Sequence, residues 1–186
     1  MIDTSWLKIS KPGLYVTPAY AHIDPVRAVD TAIITHGHAD HARAGHGHVI
    51  ATPETLAIMS ARYGANFAAQ QTALPYNQQL MLGDVNAKLI PAGHVLGSAQ
   101  IVLEYANTKI IAAGDYKRRS DPTCRPFQVE HCDVFITEAT FGLPVFAHPE
   151  PETQIKKLLE VQHLFPERSI IIGAYSLGKA QRLIAL

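Results

Sequence analysis

Apolar and polar positions along this chain recur with two periods. Gly13 to Val16, Tyr20 to Asp24 and Thr31 to Thr35 are short runs bounded by turn residues. The last of them, TAIIT, is continuous and β-branched, as a strand buried on both faces requires. Val49 to Ala51 predicts another strand. Thr52-Pro53 then supplies an N-cap and first-turn pair, and Leu56, Met59 and Tyr63 fall on one helical face, so the pattern predicts a helix to about Tyr63, closed by Gly64. Gln79 to Leu82, Val85 to Pro91, Ala99 to Tyr105 and Lys109 to Ala113 follow as strands with Gly83-Asp84 and Asn107 at the turns, which reads as antiparallel β. Asp133 to Thr137 predicts one more strand and Glu150 to Leu164 a helix with Ile155, Leu158 and Leu159 inward. Ser169 to Gly173 reads as a final strand before a helical stretch from Leu177. Strands grouped early and in the middle, with helices interspersed, predict a layered α/β sandwich rather than a regular βαβ array.

Composition narrows this reading only slightly. A chain of 186 residues, 47% hydrophobic and 17% charged, has enough apolar side chains for one respectable core, which excludes disorder and fibrous repeats. With 16 basic and 16 acidic side chains the net charge is +0, so affinity for a polyanion has to come from local charge. Met1 to Ser10 has no apolar targeting region, and no later stretch is long enough for a bilayer span, so the expectation is a cytoplasmic protein without a membrane partner. Cys124 and Cys132 lack the paired spacing of a zinc finger and read as reduced packing residues.

Histidine is the exception to this ordinary composition: five of the ten lie between His36 and His48. His36-Gly37-His38-Ala39-Asp40-His41 comes directly after the TAIIT strand, where side chains at a strand end converge. Imidazole nitrogens and a carboxylate are groups that zinc prefers, and four of them at this density imply two adjacent metals, His36 and His38 serving one and Asp40 and His41 the other. His94 in Pro91-Ala92-Gly93-His94 and Asp115 in Ala113-Gly114-Asp115 each end a predicted strand. His94 would complete a three-histidine site, and Asp115 is the natural carboxylate to bridge two cations. Taken singly, Gly-His is more often an ordinary loop histidine and Gly-Asp a turn; their order after the first motif favours the metal reading. His46 and His48 have no accompanying carboxylate and are explained by a glycine-rich surface loop.

In this order, His36 to His41, His94 and Asp115 resemble the metal-binding motifs of the metallo-β-lactamase superfamily. Asp24, in His22-Ile23-Asp24-Pro25, is similar to the aspartate that precedes them and would orient a ligand histidine without touching metal; locally, a turn-initiating Asp before Pro explains it equally well. Phe135 to Gly142 resembles the acidic motif that opens the β-CASP nuclease branch, with Glu138 in the acidic position. Gly173 to Ala180 resembles the small-residue and lysine turn of DNA cross-link repair exonucleases. From Gly13 to Leu186, including Pro91 to Ser98 and Asp121 to Cys124, the chain is similar to bacterial DNA ligase-associated exonucleases.

The resemblance implies an αββα sandwich over residues 1–145, incomplete at the C-terminus, with residues 146–186 as the start of a truncated β-CASP domain. It implies two Zn2+ ions, with Mn2+ or Fe as alternatives, held by His36, His38, Asp40, His41, His94 and Asp115. The catalytic set would be Asp40, Asp115 and Glu138, the last pairing with a general-acid histidine beyond Leu186. The implied activity is that of a DNA exonuclease in repair or ligation, with DNA and a DNA ligase as partners. An RNA-processing nuclease of the same branch is the alternative, and a small-molecule hydrolase of the wider superfamily comes third, since it has no reason to carry the Glu138 and Tyr175 to Lys179 segments. Ser176 and Lys179, in a Gly-flanked turn before a helix, and Lys117, in the run Lys117-Arg118-Arg119, are candidates for phosphate contact; strand-to-helix punctuation and a solvated charge run are the plainer explanations.

Overall fold

The computed structural model describes residues 2–186, which form two compact units, Met1–Glu138 and Ala139–Leu186. The first opens with β1 (Leu7–Ile9), β2 (Leu14–Val16), a 3-10 turn (Thr17–Ala19), β3 (Ala21–Ile23), β4 (Thr31–Ile33), β5 (His46–Ala51) and α1 (Pro53–Tyr63). It continues through β6 (Ala68–Ala73), β7 (Gln79–Leu82), β8 (Val85–Pro91), β9 (Ala99–Tyr105), β10 (Thr108–Ala112) and β11 (Val134–Ile136). The second unit holds α2 (Pro151–Leu164) and α3 (Lys179–Ala185).

Two sheets stack in the first unit, one of six strands in the order β1-β2-β3-β4-β5-β6 and one of five in the order β11-β10-β9-β8-β7. Val16, Ile23, Ile33 and Ile50 from the first meet Val85, Leu89, Ile101, Leu103 and Ile110 from the second in one buried cluster. Each such side chain contributes about 1.5–3 kcal/mol of apolar transfer. The other face of the six-stranded sheet turns Ala32, Ile34, Val49 and Ala51 onto Leu56 and Met59 of α1. β4 and the second half of β5, Val49 to Ala51, are thus covered on both sides, which is why they run apolar without alternation. Ile90, Val102 and Ile111 point away from the intersheet core, packed by Cys132. This layering of α1 on a pair of mixed sheets is the α/β sandwich that the pattern predicts.

α1 starts and stops where its caps require. Thr52 Oγ1 accepts the Thr55 amide at 3.2 Å, and Gly64, at φ 85°, gives its N–H to Ser60. Ala106 and Asn107, both at positive φ, form the two-residue turn that joins β9 to β10.

Several expectations need correction. β5 begins at His46, not Val49: His46 is buried and His48 pairs with Thr31 of β4, so neither lies in a surface loop. β1 and β6 went unpredicted because LKI is largely exposed and AAQQTA has no apolar alternation; both are edge strands. The five-stranded sheet is antiparallel except for β10 and β11, which run parallel. Ser169 to Gly173 forms no strand, and Ile171 is 94% exposed. α2 matches its predicted span, but Leu159 faces outward and the helix fully buries no residue.

Candidate metal centre

The expected donors sit at the C-terminal ends of three strands. β4 continues through Ile34 and Thr35 into His36, β8 ends two residues before Gly93-His94, and β10 ends two residues before Gly114-Asp115. The Thr35 carbonyl accepts the Ala99 amide at 2.8 Å and so ties the two sheets together at this edge. Gly114 has φ 58°, and a Cβ there would lie 2.7 Å from that of Thr35, so only glycine lets the Asp115 turn press against the histidine-bearing segment.

Four of the donors converge. Ligand atoms of His36, His38, His94 and Asp115 all lie within 4.8 Å of one another. His36 Nε2 is 2.9 Å from His38 Nδ1, which is 3.2 Å from His94 Nε2. Asp115 Oδ2 stands 3.8 Å from His36 Nε2 and 3.6 Å from His94 Nε2. A tetrahedral zinc with bonds of about 2.0–2.1 Å separates its donors by about 3.3 Å, so this group has the span of one such ion. The other oxygen of Asp115, Oδ1, lies 3.4 Å from His41 Nε2, and His41 Nε2 is 3.7 Å from Asp40 Oδ2. His41 Nε2 thus lies within reach of both Asp40 and Asp115, and the two oxygens of Asp115 face different histidines.

Asp24 sets the orientation of both histidine groups. Its Oδ2 accepts His41 Nδ1 at 2.8 Å and the Thr35 hydroxyl at 2.6 Å, and its Oδ1 accepts the Thr35 amide at 2.8 Å. With its proton on Asp24, Thr35 Oγ1 is left to accept from His36 Nδ1, 3.0 Å away. His36 is thereby protonated on Nδ1 and presents its Nε2 lone pair to the site, while His41 gives its Nδ1–H to Asp24 and turns Nε2 toward Asp115. In the sequence Thr35 stands out only as a strand residue next to His36.

Electrostatics follow the same geometry. Burial, reinforced by the neighbouring histidines His41 and His94, holds the His36 pKa down to about 2. His94 is lowered too, chiefly by burial. Burial opposes protonation of His41 as well, but its bonds to Asp115 and Asp24 outweigh it and raise the pKa to about 10. The His41 bond in turn pulls Asp115 down to about 2 against the effect of burial. Carboxylates that retain a proton on His41 so firmly are equally suited to retain a cation at Nε2, since Nδ1 keeps its bond to Asp24.

The loop carrying His94 is fixed from several sides. Ser98 Oγ accepts the amides of His94 and Val95 at 3.0 and 3.2 Å, the Tyr76 hydroxyl donates to the Ser98 carbonyl at 2.9 Å, and Thr52 Oγ1 donates to the Gly97 carbonyl at 2.7 Å. In the sequence Thr52 signals only a helix cap and Ser98 only one residue of the Pro91 to Ser98 segment, since a hydroxyl there gives no sign that it braces a loop. Glu138 is close enough to His94 to act on its charge. Lys117 is paired with Asp121 at 2.6 Å, while Arg118 and Arg119 are exposed. Ser176 and Lys179 belong to the second unit, where the Lys179 ammonium lies 4.9 Å from the centre of the Tyr175 ring and the Ser176 carbonyl accepts Gln181 Nε2 at 2.9 Å. His46 and His48 stay outside the centre, His46 Nδ1 accepting the Val29 amide and His48 Nε2 meeting Thr72.

Among curated proteins the chain is 30% identical over 176 residues to a probable DNA ligase of Opitutus terrae, covering 92% of this chain and 17% of that one. It is 28% identical to endoribonuclease ysh-1 of Neurospora crassa, covering 94% and 24%, and 26% identical to an RNase J-like protein of Methanocaldococcus jannaschii, covering 86% and 44%. The chain thus spans less than half the length of each of these relatives. A crystal structure of a protein of unknown function from Enterococcus faecalis V583 shares the fold at 15% identity, with a TM-score of 0.54 over 77% of this chain and 41% of that one. These nuclease relatives agree with the β-CASP branch suggested by the segment around Glu138. The family model for the metallo-beta-lactamase superfamily matches residues 3–171, and the chain belongs to that superfamily.

Proposed function

We propose that this chain carries the two-metal centre of a hydrolase that cleaves nucleic acid phosphodiester bonds, acting as a DNA exonuclease in repair or ligation. The observation that carries the reading is Asp115, whose two carboxylate oxygens face two different donor groups, His36 and His94 on one side and His41 on the other. A carboxylate placed between two clusters is what a dinuclear centre requires, and Zn2+ fits the histidine-rich donor set best.

His36, His38, His94 and Asp115 would hold one ion, and Asp40, His41 and Asp115 the other. Such a pair supplies an activated water and neutralises charge that develops on the phosphoryl group. The protein does the rest. Asp24 and Thr35 fix the rings of His41 and His36 with Nε2 toward the site before any ion arrives, which lowers the cost of assembling it. Glu138 places negative charge near His94, where it would orient a proton donor supplied from elsewhere in the protein. Ser176 and Lys179 are assigned to phosphate contact in the second unit. Lys117 joins them only if its ammonium leaves Asp121.

In this reading residues 1–145 form the hydrolase portion and residues 146–186 open a β-CASP domain. Nucleic acid as substrate is supported by relatives named as a DNA ligase and as endoribonucleases, and a DNA ligase is the natural functional partner. No helix among the described residues is long and apolar enough to cross a membrane; work on DNA beside a ligase fits a cytoplasmic setting. RNA cleavage is the competing reading, favoured by the endoribonuclease relatives.

One experiment separates these. The full-length protein, with Zn2+ or Mn2+, is incubated with end-labelled single-stranded DNA, the matching RNA and a lactam. Progressive shortening of the DNA is the expected result. Digestion of RNA alone moves the assignment to RNA processing, and turnover of the lactam alone overturns it.

A further inference from the structure

Asp115 and His94 follow different strands, β10 and β8, which flank β9 and do not pair with each other. The loop after Asp115 adds a direct tie between them. The Lys117 amide donates to the Ala92 carbonyl at 3.0 Å, two residues before His94, and the Gln128 amide donates to the Pro91 carbonyl at 3.0 Å. Gly93, at φ 73°, lies so near this loop that a Cβ would overlap the Lys117 carbonyl. The loop is therefore clamped on the backbone that carries His94.

The clamp has a buried fastening. Asp121, with a side chain only 4% exposed, takes the Lys117 ammonium on Oδ2 at 2.6 Å. Its Oδ1 accepts the Thr123 amide at 3.0 Å and the Thr123 hydroxyl at 2.6 Å. A carboxylate removed from water is retained at a desolvation cost, so it holds firmly only with both oxygens bonded, as these are. Asp121 thus folds Lys117 and Thr123 around itself, and Lys117 in turn carries the loop onto Ala92 and Gly93.

We propose that Asp121 is a positioning residue of the metal centre, which acts through Lys117 to keep Asp115 in register with His94. The inference rests on the metal reading given above and adds to it a residue outside the ligand set. Turning Lys117 inward has a second consequence, since Arg118 and Arg119 alone are then left at the surface of the run.

The test is a chelator-buffered Zn2+ titration of the full-length protein, repeated with Co2+ so that the visible absorption of the bound ion reports its coordination. Asp121→Asn keeps the side-chain volume and removes the charge; Lys117→Met keeps the stem and removes the ammonium. Each variant is titrated at a temperature where its circular dichroism matches wild type. Metal affinity is expected to fall by about 10–100-fold in both, the range seen when groups that support ligands are removed. The Co2+ spectrum is expected to change shape, and the double variant to lose no more than the larger single loss. Variants that melt earlier yet bind both ions with wild-type affinity and spectrum would show that Asp121 only stabilises the fold, which overturns the inference and leaves the metal reading intact. Wild-type protein that takes up no divalent ion overturns both.

Discussion

The two units of this chain differ most in what they bury. Met1–Glu138 encloses three apolar clusters, and its donors project from strands whose faces are covered by a second sheet or by α1. Ala139–Leu186 contains two helices and many apolar side chains, among them Leu143, Leu164 and Ile184, yet none of its residues is buried. Apolar content alone therefore does not make a core; the side chains need a facing surface with matching periodicity. A site that must hold donors to within fractions of an ångström belongs on the first kind of scaffold.

The sharpest way to break this comparison is to remove one donor from each unit. Asp115→Ala is expected to abolish phosphodiester cleavage by the full-length protein, by roughly a thousandfold or more, because several kcal/mol of charge stabilisation depend on the shared carboxylate. Its circular dichroism should match wild type, since Asp115 is partly exposed and packs no core. Lys179→Ala in the second unit should leave kcat near wild type and raise KM by a few-fold, as loss of one phosphate contact would. Steady-state kinetics on a labelled DNA strand measure both. An Asp115→Ala protein with normal turnover would remove the basis of the functional assignment.

Packing gives the next largest contrast. Leu103 is fully buried between the sheets, and Leu103→Ala should destabilise the protein by about 2–5 kcal/mol through lost transfer energy and the cavity left behind. Leu159 of α2 is 58% exposed, and Leu159→Ala should stay within about 0.5 kcal/mol. Urea unfolding at fixed pH reads the difference. Equal losses at the two positions would mean that α2 is buried in the protein in solution and that the contrast between the units is wrong.

Legibility followed the same division. Segments whose local pattern agreed with their tertiary setting were readable to the residue: Val85–Pro91, Ala99–Tyr105 and the capped α1. His36, His38, His94 and Asp115, which the fold brings together, were legible as candidate donors because metal chemistry restricts donor types so narrowly. Thr35, Ser98 and Asp121 were not, since a hydroxyl or carboxylate that holds another residue in place carries no signature until its partners are known. β6 was hidden for a related reason: AAQQTA takes its extended form from pairing with β5, not from its own side chains. Ser169 to Gly173 failed in the opposite direction, having strand composition without a strand partner among the described residues.

The smallest effect tests whether charge is organised differently in the two units. On the five-stranded sheet, Glu130 receives Lys88 at 2.9 Å and Lys109 at 3.2 Å, and Lys109 also meets Glu104 at 2.7 Å. Burial raises the Glu130 carboxyl, but the two ammonium groups outweigh it and leave the pKa below the ordinary carboxylate value. A group lowered on folding stabilises the protein above its unfolded pKa, about 4.3 for glutamate, and that contribution disappears as the pH falls through the folded value. Glu130→Gln should therefore be less stable than wild type by about 1 kcal/mol at pH 7, a size set by partial exposure of the network, with the gap closing in the acid range. Glu160→Gln, at an exposed position of α2, should stay within about 0.5 kcal/mol of wild type at pH 7. Urea midpoints of the three proteins between pH 7 and pH 3 give the answer: a Glu130 gap that persists in acid would mean that the glutamine is penalised for its shape and not for its missing charge.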